Sequence, residues 1–130
     1  WSNMKTHFVK SAPQAIGPYC HAVQTGNLVF CSGQTPLDPE TNQIVGENIT
    51  EQTERVLENL EIVLQGLGLS LQNVVKCNVY LKSMADFEGM NAVYARMFAP
   101  HTPARTTISI NQNPLDALVE IECIAEMPEL

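Results

Sequence analysis

Residues 117–125 read ALVEIECIA and alternate between two kinds of side chain. Successive side chains of a strand point to opposite faces of its sheet. Val119, Ile121, Cys123 and Ala125 therefore share one continuous apolar face, while Leu118, Glu120, Glu122 and Ile124 share the other. A strand with one buried face and two carboxylates on its second face belongs to a sheet that helices cover on one side only.

Upstream, HTPARTTISI at 101–110 reads as another strand, Arg105 to Ile110. The same alternation puts Arg105, Thr107 and Ser109 on one face and Thr106, Ile108 and Ile110 on the other. The expectation is that the isoleucines face the core and Arg105 the polar side. If this strand pairs with the last one, Arg105 and Glu120 or Glu122 project from one surface. Two readings of Arg105 follow. It is half of an exposed cross-strand ion pair, of the kind that contributes about 0.2–1 kcal/mol, or its planar fork grips a carboxylate in a bidentate fashion. Spacing does not choose between them.

The remaining elements complete a β-β-α-β-α-β-β order, with a possible extra strand at the N-terminus. Tyr19 to Gln24 and Asn27 to Ser32 read as a hairpin turning at Thr25-Gly26. Residues 33–48 carry Gly, Pro, Asp and Asn and read as an irregular excursion. Asn48 followed by Glu51 resembles a capping box. Val56, Leu60, Val63, Leu64 and Leu67 then recur at helical spacing until Gly66 or Gly68. Residues 74–81, VVKCNVYL, read as a strand with Val75, Cys77, Val79 and Leu81 on one face. Ser83 and Asp86 open a second helix with the stripe Phe87, Met90, Val93, Tyr94 and Met97, which Pro100 stops. The expected architecture is α+β: a six-stranded mixed sheet with two helices on one face, residues 1–130 forming one unit. Met4 reads as a natural initiator, with residues 1–3 a remnant of expression or processing.

Composition narrows the function. Of 130 residues, 7 are Lys or Arg and 14 Asp or Glu, a formal net charge of −7. Without clustered cations, nucleic acid and anionic lipid are disfavoured as partners, while one small anion on a local arginine is not. The 16% charged fraction is low, which leaves room for surface lost to subunit contacts. No run is long enough to span a membrane as a helix. Cys20, Cys31, Cys77 and Cys123 form no CxxC pair, and His7, His21 and His101 have no helical pairing. No metal site is expected, and the cysteines read as reduced, intracellular thiols in apolar strands. Tyr19, after Gly17-Pro18, reads as an amphipathic core residue or a ligand contact. Asn91 reads as solvent-facing or aimed at a site. Gly33, closing a strand, reads as a turn or a close ligand approach. No Ser/His/Asp triad can be assembled.

Several blocks together resemble the Rid family (reactive intermediate deaminases, YjgF/L-PSP), in its archetypal deaminating subgroup. They are APQAIGPY at 12–19, LVFCSGQTPLDPET at 28–41, EQTERVLENLE at 51–61, VVKCNVYL at 74–81, MNAVYARMF at 90–98, PAR at 103–105 and ALVEIECIA at 117–125. The resemblance implies a chorismate-mutase-like (bacillar) fold and a homotrimer with a central β-barrel and sites between subunits. It implies hydrolysis of 2-iminobutanoate and 2-iminopropanoate, imines arising from 2-aminoacrylate-type products of PLP enzymes, to 2-keto acids and ammonia. Arg105 would anchor the carboxylate, helped by backbone groups at Gly33 and Thr107. Glu120 would act as general base on water, Tyr19 would pack on and hydrogen-bond the substrate, and Asn91 would support the pocket. Neither a metal nor an organic cofactor is implied. The chain departs from the family at Cys20-His21, where Ser-Gln is common, at Thr107, where Cys is common, and at INQNP, 110–114.

Two other readings remain: a non-catalytic trimeric module binding 2-keto acids, and a translation-inhibiting ribonuclease, which the negative charge disfavours. The expected location is cytoplasmic, with the mitochondrial matrix after transit-peptide removal as the alternative.

Overall fold

The computed structural model describes residues 3–128, so the first two positions of the expected 1–3 remnant lie outside the described residues. Six strands form one sheet: β1 (Lys5–His7), β2 (Ala22–Thr25), β3 (Leu28–Gln34), β4 (Val74–Leu81), β5 (Ala104–Ser109) and β6 (Val119–Glu126). Helix α1 (Ile49–Gly66) lies between β3 and β4 in the chain, and α2 (Phe87–Phe98) between β4 and β5. The spatial order is β1-β2-β3-β6-β4-β5, with β4 and β5 parallel and every other neighbouring pair antiparallel.

This order explains why both helices share a face. β3 and β4 both run antiparallel to β6, hence parallel to one another, and α1 carries the chain from one to the other. α2 then carries it from β4 to β5, one step further in the same direction. Crossovers between parallel strands are right-handed almost without exception, so two successive crossovers in one direction stack both helices on one side. The other side is left bare.

Local signals place the helices. Asn48 is the N-cap of α1: its Oδ1 accepts from the Glu51 N–H at 2.9 Å, and Glu51 Oε1 accepts in return from the Asn48 amide at 2.9 Å. Val56, Leu57, Leu60, Val63 and Leu64 of α1 are buried against the sheet, and Met90, Val93, Tyr94 and Phe98 bury α2. The two helices approach closely because position 89 is glycine: a Cβ there would lie 2.6 Å from Ile49 Cγ2. The hairpin turns at Gly26-Asn27, one residue later than expected, with Gly26 at φ +58°.

On the covered face, β6 contributes Val119, Ile121, Cys123 and Ala125, all buried, as its alternation requires. The expectation for β4 needs one correction. Val74, not Val75, joins Cys77, Val79 and Leu81 in the core, and Val75 is exposed. Val74 pairs with Ala125 and Lys76 with Ile124, so Val75 is the extra residue of a β-bulge, which shifts the parity of the strand by one.

The expectation for β5 is overturned in two respects. β5 does not touch β6, since β4 lies between them. Arg105 pairs in register with Cys77, Thr107 with Val79 and Ser109 with Leu81, which are all core-facing positions. Arg105 and Thr107 therefore stand on the helix side, and Ile108 stands on the bare side, opposite Tyr80. Paired residues of adjacent strands share a face, and the isoleucines had imitated a core stripe.

The bare face is partly apolar. Phe30 and Ile108 on it are 44% and 46% exposed, and Leu28 and Ile124 flank Phe30. Tyr80, Lys76, Glu120 and Glu122 supply its polar part.

Candidate active site

Six residues singled out from the sequence fall into two groups on opposite sides of the sheet. The first group stands at the β5 edge. The Arg105 guanidinium carbon lies 4.8 Å from the Tyr94 ring centroid and 5.6 Å from that of Phe87, within cation–π range of both helix residues. Among the described residues the ion pairs are Arg55–Glu58, Lys82–Asp116 and Arg96–Glu54, so Arg105 has no acidic partner. The cross-strand ion pair with Glu120 or Glu122 is not formed, because those carboxylates project from the other face.

Arg105 opens into a cavity of about 670 Å³ that Asn91, Tyr94, Phe98, Pro100 and Pro103 also line. Asn91 and Tyr94, three residues apart, look out from one side of α2. The wall at 101–103 is fixed by His101, whose Nε2 donates to the Val74 carbonyl at 2.6 Å and whose backbone N–H donates to the Phe98 carbonyl at 2.9 Å. Thr107 lies two residues beyond Arg105 on the same face, and its buried Oγ1 finds no hydrogen-bond partner among the described residues. Cys77, beneath Arg105, is pushed up to about 11 by burial, an effect the Arg105 charge partly opposes. That thiol is an inert filler of the core.

The second group lies across β3, β6 and the loop before β2. Gly33 and Glu120 are in contact: a Cβ on Gly33 would sit 3.0 Å from the Glu120 Cδ and Oε2. Glycine is thus what leaves room for the carboxylate. Glu120 is half-buried and, among the described residues, receives no hydrogen bond. Loss of solvation raises its pKa above the ordinary glutamate value, and the charge of Glu122 raises it further.

Tyr19 is 44% exposed on a loop tied to the same region. Ser32 Oγ, next to Gly33, donates to the Cys20 carbonyl at 2.7 Å, and the Ser32 N–H to the His21 carbonyl at 3.0 Å. His21 is buried, accepting from the Val9 N–H at 2.8 Å on Nδ1 and donating from Nε2 to the Pro13 carbonyl at 2.7 Å. It staples the approach to Tyr19, and the Cys20-His21 departure is structural in that respect. Cys20 itself lies outside the strands and is only partly buried.

Sequence reasoning passed over Phe87 and Tyr94 as core stripe, and took Tyr80 as one more strand residue. The missed signal for Tyr94 was its spacing from Asn91. Among the described residues no group of three or more His, Cys, Asp or Glu side chains could hold a metal ion, and no helix is long and apolar enough to cross a membrane.

Fold and charge layout together define an open-faced α+β protein that presents an uncompensated arginine on one side of its sheet and an unbonded carboxylate on the other. The sequence profile of the family described as endoribonuclease L-PSP matches residues 9–127. Reactive Intermediate Deaminase A of Arabidopsis thaliana, a chloroplastic protein, is 42% identical over 97% of this chain and 68% of its own length. The 2-iminobutanoate/2-iminopropanoate deaminase of Salmonella typhimurium is 39% identical over 93% of this chain and 96% of its own. The structure of Escherichia coli TdcF with bound serine superposes with a TM-score of 0.89 at 35% identity, covering 95% of this chain and 99% of TdcF. The chain belongs to the Rid (YjgF/L-PSP) family, which includes imine deaminases.

Proposed function

We propose that the protein hydrolyses small 2-imino acids, 2-iminobutanoate and 2-iminopropanoate, to 2-keto acids and ammonia, removing reactive products of PLP enzymes. The observation that carries this reading is the unpaired Arg105 guanidinium, braced by Tyr94 and Phe87 and open to a cavity. A planar fork in that setting suits a carboxylate bidentately, and the relative TdcF binds serine, which bears one.

Arg105 and Glu120 of one chain stand on opposite faces, so a site using both needs two copies. The partly apolar bare face and the exposed β5 edge suit a second copy of this chain, and the proposed assembly is a homotrimer. In it, Arg105, Asn91 and Thr107 of one copy meet Tyr19, Gly33 and Glu120 of the next.

The chemistry is one addition and one elimination. Arg105 holds the carboxylate, and Glu120 takes a proton from water as its oxygen attacks the carbon of the protonated C=N group, the nitrogen becoming a neutral amine. The same carboxyl then returns that proton to the nitrogen, the C–N bond breaks as the hydroxyl oxygen forms the C=O, the hydroxyl proton passes to the Glu120 carboxylate and on to solvent, and ammonia leaves. Water is the only co-reactant, so positioning two groups accounts for the rate.

A coupled assay tests this. Threonine dehydratase generates the imine, and its decay is followed by absorbance with and without the protein. Faster decay with the protein supports the enzyme. Equal decay, with 2-oxobutanoate still bound, gives the keto-acid module instead. The ribonuclease reading, which the family description raises, requires RNA contacts that a chain of net charge −7 lacks in clustered form.

A further inference from the structure

The two glutamates of β6 on the bare face are not equivalent. Tyr80 stands directly opposite Glu120 in the β4–β6 register, with Asn78 opposite Glu122. Yet the Tyr80 hydroxyl reaches diagonally and donates to Glu122 Oε1. Diagonal pairs are within reach of a long aromatic side chain. Glu122 is engaged as a result, while Glu120 has Gly33 on one flank and the Tyr80 position on the other, with no donor of its own among the described residues.

We propose that Glu122 and Tyr80 are positioning residues for Glu120: Tyr80 holds the Glu122 carboxylate away from Glu120, so that Glu122 acts as a fixed neighbouring charge instead of a hydrogen-bond partner. This rests on the deaminase reading of Glu120. Without Tyr80, two carboxyls two residues apart on one face would share a proton, and the base would be tied up by its neighbour. With Tyr80, Glu120 keeps both oxygens for water and nitrogen, and the nearby charge helps it hold the proton that the elimination step returns.

In the proposed assembly Tyr19 and the next copy's Arg105 also face Glu120, and they are the same in every variant compared; the other ionisable groups on this face of the chain are committed elsewhere. Lys76 Nζ donates to Thr106 Oγ1 at 3.0 Å, toward β5. Glu126 accepts from Asn27 at 3.3 Å at the far end of the strand, and Lys82 pairs with Asp116 at 2.9 Å beyond the end of β4. β3 presents Ser32 and Gly33, and β5 presents Thr106 and Ile108, none of which titrates in the working range. The Tyr80 phenol is itself pushed up to about 12, first by its bond to Glu122, so it stays a donor throughout that range.

The test is a carboxyl titration by NMR on the intact assembled protein labelled with 13C-glutamate, beside the pH profile of imine hydrolysis. The proteins are wild type, Glu122→Gln and Tyr80→Phe. Glu122→Gln keeps an acceptor for Tyr80 but removes the charge, so the Glu120 titration and the acid limb of activity should both move to lower pH. Tyr80→Phe frees the Glu122 carboxylate to reach Glu120 and share its proton, so the Glu120 titration should move to higher pH. Opposite shifts are the signature, and a merely structural role would not give them. A Glu120 titration that Glu122→Gln leaves in place, or shifts of one sign in both variants, overturns the proposal. The NMR arm needs no turnover, so absent hydrolysis with intact opposite shifts would count against the deaminase reading alone.

Discussion

Arg105 and Glu120 face opposite sides of one sheet, with strand β4 between the strands that carry them. No bending of side chains brings them together within one chain. Everything proposed about catalysis depends on that separation.

Arg105→Ala should abolish the acceleration of imine decay while leaving the fold intact, since the guanidinium forms no ion pair that folding relies on. Losing a buried charge contact to substrate costs about 2–5 kcal/mol, roughly 30- to 4,000-fold in kcat/KM. Arg105→Lys should recover little, because an ammonium has neither the fork nor the stacking plane for Tyr94. Its defect should appear mainly as a raised KM in steady-state kinetics.

Gly33→Ala tests the cradle of the carboxylate. The added methyl would meet the movable end of Glu120, not backbone, so the stability change read by denaturant titration should stay below about 1 kcal/mol. Turnover should fall far more than stability, because the displaced group is the proposed base. A variant with wild-type kcat would show that the position of Glu120 does not matter.

Glu120→Gln should be inactive and more stable than wild type at neutral pH. The folded-state pKa of Glu120 is raised, so its ionised form opposes folding. Relative to the fully protonated protein, that stability is complete below the unfolded glutamate value and is lost as pH rises through the folded one. The gain of Glu120→Gln should therefore be present at pH 7–8 and vanish on acidification below about pH 4, the ordinary glutamate range. Thermal unfolding across pH measures it, and a gain independent of pH would contradict the assignment.

Asn59 offers a stability test away from the site. It is fully buried in α1, and its amide donates to the carbonyls of Thr35 at 3.1 Å and Leu37 at 2.9 Å. These bonds pin the irregular 33–48 excursion to the helix. Asn59→Ala leaves the Thr35 carbonyl its second donor, the Leu37 N–H at 2.8 Å, but strands the Leu37 carbonyl, and should cost about 1–3 kcal/mol in denaturant unfolding.

How far the sequence could be read depended on how each face is covered. β6 was legible because its apolar face meets helices of the same chain, and the Asn48 cap was legible because capping is local. β5 misled for a physical reason: Ile108 lies on a face that this chain leaves bare, so alternation reported apolar character correctly and could not say which surface satisfies it. The bulge at Val75 escaped notice because three hydrophobic or long side chains in a row, Val74 to Lys76, carry no parity signal. Tyr19, Gly33, Asn91 and Thr107 owe their proposed site roles to the family resemblance; alternation offered Glu120 only as one of two glutamates, and put it beside Arg105 in one chain. Their division between two faces emerged only from strand order.

Subunit complementation tests the central claim most directly. Arg105→Ala and Glu120→Gln chains, each inactive alone, are unfolded, mixed in equal amounts and reassembled, and imine decay is measured. Sites pairing Arg105 from one chain with Glu120 from another should reappear, restoring roughly a quarter of wild-type activity under random mixing of a cyclic assembly. A mixture that assembles fully and stays as inactive as its two components would contradict the account.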